Sequence, residues 1–261
     1  MIENLTAPGK GGFLTRPDFP SPVKIIRVNL DLLKMHMADR GNDNIALFYL
    51  RRQERERFHS FRYEKRKVEW LAGRIAAKCA GLLLRNNDDE ICHGKNQWHQ
   101  LRVSAESAGK PFLSWSALES RKQVVSISIS HSRQWAIAMA AWENCGIDIQ
   151  QVTAAVERVE ERFVNAGEKN ILAEIVSLYG KQAALALLWS AKEAVKKTSA
   201  GAILPGFLDI SLNSLQKSED DYRFEVQVKD KESGQKVSQL VWVRLLDGFS
   251  YAVTTQNQGR I

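Results

Sequence analysis

Apolar positions along residues 66–84 recur at Val68, Leu71, Ala72, Ile75, Ala76, Cys79, Leu82 and Leu83. Steps of three and four residues mark one face of an α-helix, so the spacing predicts a long amphipathic helix here. Lys67, Arg74, Lys78 and Arg85 follow at spacings of seven, four and seven on the same helix. They are expected to form a basic stripe beside the apolar face. A different period governs residues 124–129, where valine and isoleucine alternate with serine, and residues 135–142, which are almost wholly apolar. These predict two strands joined through 130–134. Residues 23–29 and 45–50 are further candidate strands. In a strand over 146–150, Asp148 and Gln150 share one face while Ile147 and Ile149 take the other. Helices are expected over 152–164, 168–179 and 181–199, and an antiparallel sheet over 223–229, 239–246 and 249–255. Proline and glycine punctuate residues 1–22, which read as a loose N-terminal arm. Helix followed by antiparallel strands thus occurs twice. The fold class expected is α/β (α+β), with an N-terminal lobe over 23–143 and a C-terminal lobe over 144–261, although no strong residue-level repeat is visible.

Composition narrows the function classes. The chain has 261 residues, of which 44% are hydrophobic and 26% charged, enough apolar content to bury a core and to exclude wholesale disorder. Three cysteines, Cys79, Cys92 and Cys145, make no even disulfide framework, so a reducing compartment is the simpler expectation. The first residues show no apolar core of a signal peptide, and the longest apolar stretches are too short to span a bilayer. A cytoplasmic protein is expected. Lysine and arginine exceed aspartate and glutamate by 37 to 30, a formal charge of +7. That excess suits nucleic acid, a membrane surface, or anionic small molecules and acidic partners.

Frequent motifs are missing: there is no phosphate-binding G-x-x-x-x-G-K-[ST] loop, no G-x-G-x-x-G after a strand and no G-x-S-x-G elbow. Cys92, His93 and His99 lack the spacing of a structural zinc site. Ser130 and His131 are neighbours in sequence, which by itself makes no nucleophile–base pair. Three features remain. Residues 51–67 carry eight basic and three acidic side chains, a net of +5. That block fits a solvated helix face with i,i+4 pairs as well as it fits a phosphate site. Asp148 with Gln150, taken alone, reads as a strand end leading into a loop. Trp189, Glu193 and Lys197 stack at i, i+4 and i+8, which alone is an ordinary helix surface.

Taken together and in order, these segments resemble the Sfp-type 4′-phosphopantetheinyl transferases. The resemblance rests on Lys65-Arg66-Lys67-Val68-Glu69-Trp70-Leu71-Ala72-Gly73-Arg74-Ile75-Ala76-Ala77-Lys78, Gly109-Lys110-Pro111, Ser128-Ile129-Ser130-His131-Ser132, Gly146-Ile147-Asp148-Ile149 and Trp189-Ser190-Ala191-Lys192-Glu193-Ala194-Val195-Lys196-Lys197, with a further echo in Glu161-Arg162-Phe163 and Glu168. It implies two similar lobes in a pseudo-twofold arrangement, each with helices on a mainly antiparallel sheet, and an active site in the cleft between them. The implied enzyme is a holo-carrier-protein synthase. It moves the 4′-phosphopantetheine of coenzyme A to a serine of an apo acyl or peptidyl carrier protein of fatty-acid, polyketide or nonribosomal-peptide assembly, and releases adenosine 3′,5′-bisphosphate.

The same resemblance assigns roles. Asp148 and Glu193 would hold Mg²⁺, with Mn²⁺ as a substitute, and Glu193, Lys197 and Asp148 would be catalytic. Lys65, Arg66, Arg74, Lys110, Pro111, Ser130, His131, Lys192 and Lys197 would bind coenzyme A, the co-substrate. Lys65, Arg66 or Lys67 would hold the 3′-phosphate with Arg74 and His131, and Lys110 and Pro111 would line the adenine side, with Ser130 on that same wall. Many members have glutamate where this chain has Gln150. An amide oxygen is a weaker Mg²⁺ ligand than a carboxylate, or binds through water, so a higher Mg²⁺ requirement is expected. Exposed residues near 163–178 would dock the acidic carrier. No nucleic-acid or membrane partner is expected, and a monomer would suffice. The competing classes are a basic nucleic-acid-binding protein, with steep salt dependence, and a coenzyme A- or carrier-binding module without catalysis.

Overall fold

The computed structural model describes residues 1–6, 22–87, 95–106, 109–115, 124–199, 204–218, 220–229 and 234–256. The chain divides into two compact units, Met1–Glu143 and Asn144–Ile261. In the first, β2 (Val23–Asn29) is buried along almost its whole length and pairs antiparallel with β1 (Ile2–Asn4) on one side and β6 (Trp135–Ala141) on the other. With β3 (Leu101–Ala105), β4 (Pro111–Trp115) and β5 (Val125–Ser132) the sheet runs β1-β2-β6-β5-β4-β3. Residues 2–4 are therefore an edge strand rather than part of a loose arm. Residues 7–21, the rest of that arm, lie outside the described residues, as do Cys92 and His93.

The predicted long helix is α4 (Glu64–Asn86), and it buries the apolar face on this sheet. Two glycines let it approach. A Cβ on Gly73 would stand 3.1 Å from Ile129, and one on Gly81 would stand 2.4 Å from Leu113. Before α4 come α1 (Leu30–Arg40), α2 (Asn42–Tyr49) and α3 (Arg52–Ser60), and α5 (Lys95–Gln100) follows it. The Asn29 side chain caps α1 by accepting from the Leu32 amide at 3.0 Å. Residues 45–50, expected as a strand, form most of α2. A short, wholly apolar run of six residues fits either period, and burial of Ile45 and Ala46 against the core settles it as helix.

The second unit begins with β7 (Asn144–Gln151). After a 3-10 turn over Glu157–Arg162 come α6 (Glu168–Ile171), α7 (Ala173–Tyr179) and α8 (Lys181–Thr198). β8 (Ile210–Ser218), β9 (Asp221–Lys229), β10 (Lys236–Leu246) and β11 (Phe249–Gln256) complete an antiparallel sheet in the order β7-β11-β10-β9-β8. The helix expected over 152–164 is only the short 3-10 turn, and the one expected over 168–179 breaks at Leu172.

The two units share one plan. Read from β2 and from β7, the strand orders β2-β6-β5-β4-β3 and β7-β11-β10-β9-β8 correspond strand for strand, with β1 as an added edge. The long helices α4 and α8 also correspond. A residue-level repeat accompanies the plan: along the long helices and the later hairpins, equivalent positions carry numbers 114 higher in the second unit, as with Asp247 against Arg133 in the tight hairpin turns, while the opening strands β2 and β7 are offset further. Both of these non-glycine residues hold a left-handed φ of 53°. The architecture is a mixed α+β fold with two antiparallel sheets.

Candidate active site

Asp148 and Glu193, the acidic residues singled out in the sequence, both lie in the second unit, on β7 and α8. On β7, Gly146, Asp148 and Gln150 share the face that meets α8. Ser250, the cross-strand partner of Gln150, bonds the Ala186 carbonyl at 3.1 Å and the Ser190 hydroxyl at 3.0 Å. The requirement for glycine at 146 is steric. A Cβ there would lie 1.9 Å from the Ala194 carbonyl oxygen and 2.8 Å from its carbon, both backbone atoms of α8. Helix and strand thus touch backbone to backbone one residue beyond Glu193. That contact brings Lys197 over the strand. Its ammonium donates to the Ile147 carbonyl and to Asp148 Oδ1, both at 2.8 Å. Asp148 is buried, and Lys197 is about a quarter exposed.

Glu193 lies one turn before Lys197 and accepts from Lys196 at 3.1 Å. Lys196 in turn sits 4.1 Å over the Phe207 ring. Gln150 donates its amide N–H to the Gln151 carbonyl at 3.1 Å. Two carboxylates and an amide oxygen are hard donors of the kind Mg²⁺ takes, and each carboxylate has a lysine ammonium on it. Among the described residues, no group of three or more His, Cys, Asp or Glu side chains is drawn together as a metal cluster.

Lys192 departs from expectation. The resemblance implies a coenzyme A contact, yet the residue is 0% exposed. Its ammonium donates to the Phe163 carbonyl at 2.6 Å, to Glu168 at 2.8 and 2.9 Å and to the Phe207 carbonyl at 3.3 Å. Burial pulls its pKa down, against the stabilising effect of Glu168. An ammonium with its donors spent inside the fold does not face solvent ligands. Phe163, placed in the docking region, is likewise a buried core residue, and the exposed apolar residues there are Val176, Leu178 and Tyr179 around the end of α7.

In the first unit, the basic residues meet aromatic rings. The Arg74 guanidinium lies 4.8 Å over Trp70, and those of Arg57 and Arg66 lie 5.1 and 5.8 Å from the Phe61 ring. Burial lowers the Arg74 pKa, offset in part by the charge of Glu54. Lys65 and Arg66 are exposed and reach Glu69 only at 3.9 and 4.0 Å. Lys78 corrects the predicted stripe. It is 0% exposed, bonded to Glu54 at 2.5 Å, the Tyr49 carbonyl at 2.9 Å and the Trp98 carbonyl at 3.3 Å. It shares a helix face with Arg74, as the spacing indicated, but that part of the face is covered.

His131 and Ser130 are consecutive on β5 and so point to opposite faces of the sheet. His131 follows Ile129, which abuts Gly73 on α4, and so takes the helix side. Ser130 takes the other side. Lys110 immediately precedes β4, and Pro111 opens it; both are half-buried. A further cavity of about 300 Å³ in the second unit is lined by Tyr179, Lys217, Asp220, Tyr222 and Arg244, none of them an expected site residue. No helix among the described residues is long and apolar enough to cross a membrane.

No local motif in the sequence marks Glu54 or Glu168 as an anchor, Glu168 entering only as an echo within the family resemblance. Each precedes its buried lysine by 24 residues, a recurrence that a search for pairs at fixed separation would have found.

The sequence is similar to known proteins. The family model of the 4′-phosphopantetheinyl transferase superfamily matches residues 144–254, the unit holding Asp148, Glu193 and Lys197. A holo-[acyl-carrier-protein] synthase of Geobacillus sp. (strain WCH70) is 31% identical over 123 residues, 46% of this chain and 97% of that protein. The one from Lactococcus lactis subsp. cremoris (strain SK11) is 30% identical over 115 residues, 44% of this chain and 92% of that protein. The one from Halalkalibacterium halodurans is 35% identical over 79 residues, and the chain spans 60% of its length. A crystal structure of the holo-[acyl-carrier-protein] synthase of Neisseria meningitidis aligns with a TM-score of 0.37 at 20% identity, over 46% of this chain and 94% of that one.

Proposed function

This chain belongs to the 4′-phosphopantetheinyl transferase superfamily, and from that membership we propose that it transfers the phosphopantetheine arm of coenzyme A to a carrier-protein serine. The observation that carries the reading is the Asp148–Lys197 pair at 2.8 Å, on a strand and helix in backbone contact through Gly146. In the reaction, the serine oxygen bonds to the β-phosphorus of coenzyme A. The bond from that phosphorus to the bridging oxygen breaks, and adenosine 3′,5′-bisphosphate leaves with the electron pair. Glu193 accepts the serine proton, and the Lys197 ammonium offsets charge on the phosphoryl oxygens. Asp148 and Glu193, with Gln150 as a neutral ligand, would hold Mg²⁺, which when bound supplies charge neutralisation at the pyrophosphate. The exposed Lys65 and Arg66, with Arg74 and His131, hold the 3′-phosphate end, and Lys110 and Pro111 take the adenine side.

Within the superfamily we assign the Sfp type. The relatives named above align with less than half of this chain, and the chain carries the helix-on-sheet plan twice. Only the second copy holds the acids. Counted 114 positions back, Glu193 corresponds to Cys79, and through the matching strand pairs Asp148 corresponds to Ile26. Incubating the protein with coenzyme A, Mg²⁺ and apo carrier proteins of fatty-acid, polyketide and nonribosomal-peptide type, then weighing the carriers, tests the proposal. The expected result is the mass gain of one phosphopantetheine on at least one carrier, lost in folded Asp148→Ala and Glu193→Ala. No gain on any carrier would overturn it.

A further inference from the structure

Each unit encloses a lysine on its long helix with a glutamate from the N-terminus of an earlier helix. In the second unit, Lys192 binds Glu168 and the carbonyls of Phe163 and Phe207. Glu168 also accepts from the amides of Asn165 at 2.6 Å and Leu212 at 2.7 Å. One carboxylate and one ammonium therefore tie α8 to the segment after the 3-10 turn, to α6, to the Phe207 turn and to β8. In the first unit, Lys78 binds Glu54 and the carbonyls of Tyr49 and Trp98, and Glu54 accepts from the Arg51 amide at 3.0 Å. Lysine, glutamate, first carbonyl and capped amide all recur 114 positions on.

An apolar core would hold a helix as firmly, but it tolerates rotation and sliding. A buried ammonium whose donors face three separate segments has one satisfied position, so the pair selects the helix's rotation and height. In α8 the consequence falls on Glu193. Its neighbour Lys192 is locked on one side, and its other neighbour, Ala194, rests its carbonyl against Gly146. In α4 the corresponding position is Cys79, so the same lock there aims no carboxylate.

We propose that Glu168 and Lys192 are positioning residues that set the Glu193 carboxylate toward Asp148 for the divalent cation, a duplicated fold lock put to catalytic use in one unit only. The inference rests on the function proposed above. The test compares Glu168→Leu/Lys192→Met, which removes both charges together, with the matched Glu54→Leu/Lys78→Met. Thermal melts, Mn²⁺ binding followed by electron paramagnetic resonance, and carrier modification with titrated Mg²⁺ are measured on each full-length protein. Replacing both partners by apolar groups leaves no buried charge unpaired, so both double variants are expected to fold. Should either fail to, Lys192→Arg and Lys78→Arg take their places.

The expected result is that the second-unit variant binds Mn²⁺ at least about tenfold more weakly, with a raised Mg²⁺ half-saturation and a kcat lowered more than KM for coenzyme A is raised. The first-unit variant should keep the wild-type Mn²⁺ affinity. Wild-type Mn²⁺ affinity and Mg²⁺ dependence in the second-unit variant would overturn this inference while leaving the function intact. Equal losses in both variants would also overturn it, in favour of a purely structural lock. A wild type that neither modifies a carrier nor binds Mn²⁺ would remove both proposals.

Discussion

Gly146 shows how much a single missing side chain decides. Its backbone adopts no left-handed angle, so conformational freedom is not why glycine stands there. The reason is the Ala194 carbonyl, 1.9 Å from where a Cβ would be. Because the obstacle is helix backbone, α8 itself has to move. Gly146→Ala should therefore lower stability by at least about 1–3 kcal/mol, the ordinary range for overpacking. It should also cut carrier modification more than tenfold, since Asp148 and Lys197 ride on the two displaced backbones. Urea melts and the mass assay check this. Gly73→Ala, where the neighbour is the end of the Ile129 side chain at 3.1 Å, should cost clearly less. The glycine and the acid two residues later were both visible in the sequence. The reason for the glycine was not, because the carbonyl it accommodates belongs to a helix almost fifty residues away.

At the scale of elements, the long helices and most strands were legible because their apolar periods are long and uninterrupted. The predicted 66–84 became Glu64–Asn86, and 181–199 became Lys181–Thr198. Short elements were not: 45–50 was read as a strand but is helix, and α1, β3, β4 and β8 lacked a decisive period. The 3-10 turn makes its own contribution to holding α8. Glu160 takes ammonium groups from Lys181 at 2.7 Å and Lys169 at 2.9 Å, joining the turn to α8 and α6. Hydrogen bonds from Lys181, then Lys169, hold its pKa below the ordinary carboxylate value of 4.5. A carboxylate depressed in the folded state contributes stability that is present above 4.5 and is lost as pH falls through the lower folded value. Glu160→Gln should thus be less stable than wild type at neutral pH, and the gap should close as the pH drops below that window. Melting temperatures across an acid series measure it.

Across the whole molecule, charge and repeat have separate distributions. The excess of +7 is concentrated in residues 51–67, but Glu54 and Lys78 cancel each other in the core, which leaves Arg52, Arg57, Arg62, Lys65 and Arg66 as the exposed basic surface. If that surface receives coenzyme A, Lys65→Glu/Arg66→Glu should raise KM for coenzyme A several-fold at low ionic strength. The difference should shrink toward about 1 M salt, where the screening length falls to about 3 Å. An unchanged KM would move the 3′-phosphate elsewhere.

The sequence by itself determined the mixed α+β class, the long helices, the family resemblance, and the candidates Asp148, Glu193 and Lys197, since these depend on local period and on residue type in order. It did not show which lysines are available. Lys78, Lys192 and Lys197 look alike in a helical pattern, yet the first two are sealed by Glu54 and Glu168 and the third lies on Asp148. It also hid the repeat, whose markers are a few residues spread over each unit among otherwise dissimilar ones. Only tertiary structure decided these points, because burial and partnership are set by segments far apart in the chain, and a helical period reports direction without saying what lies there.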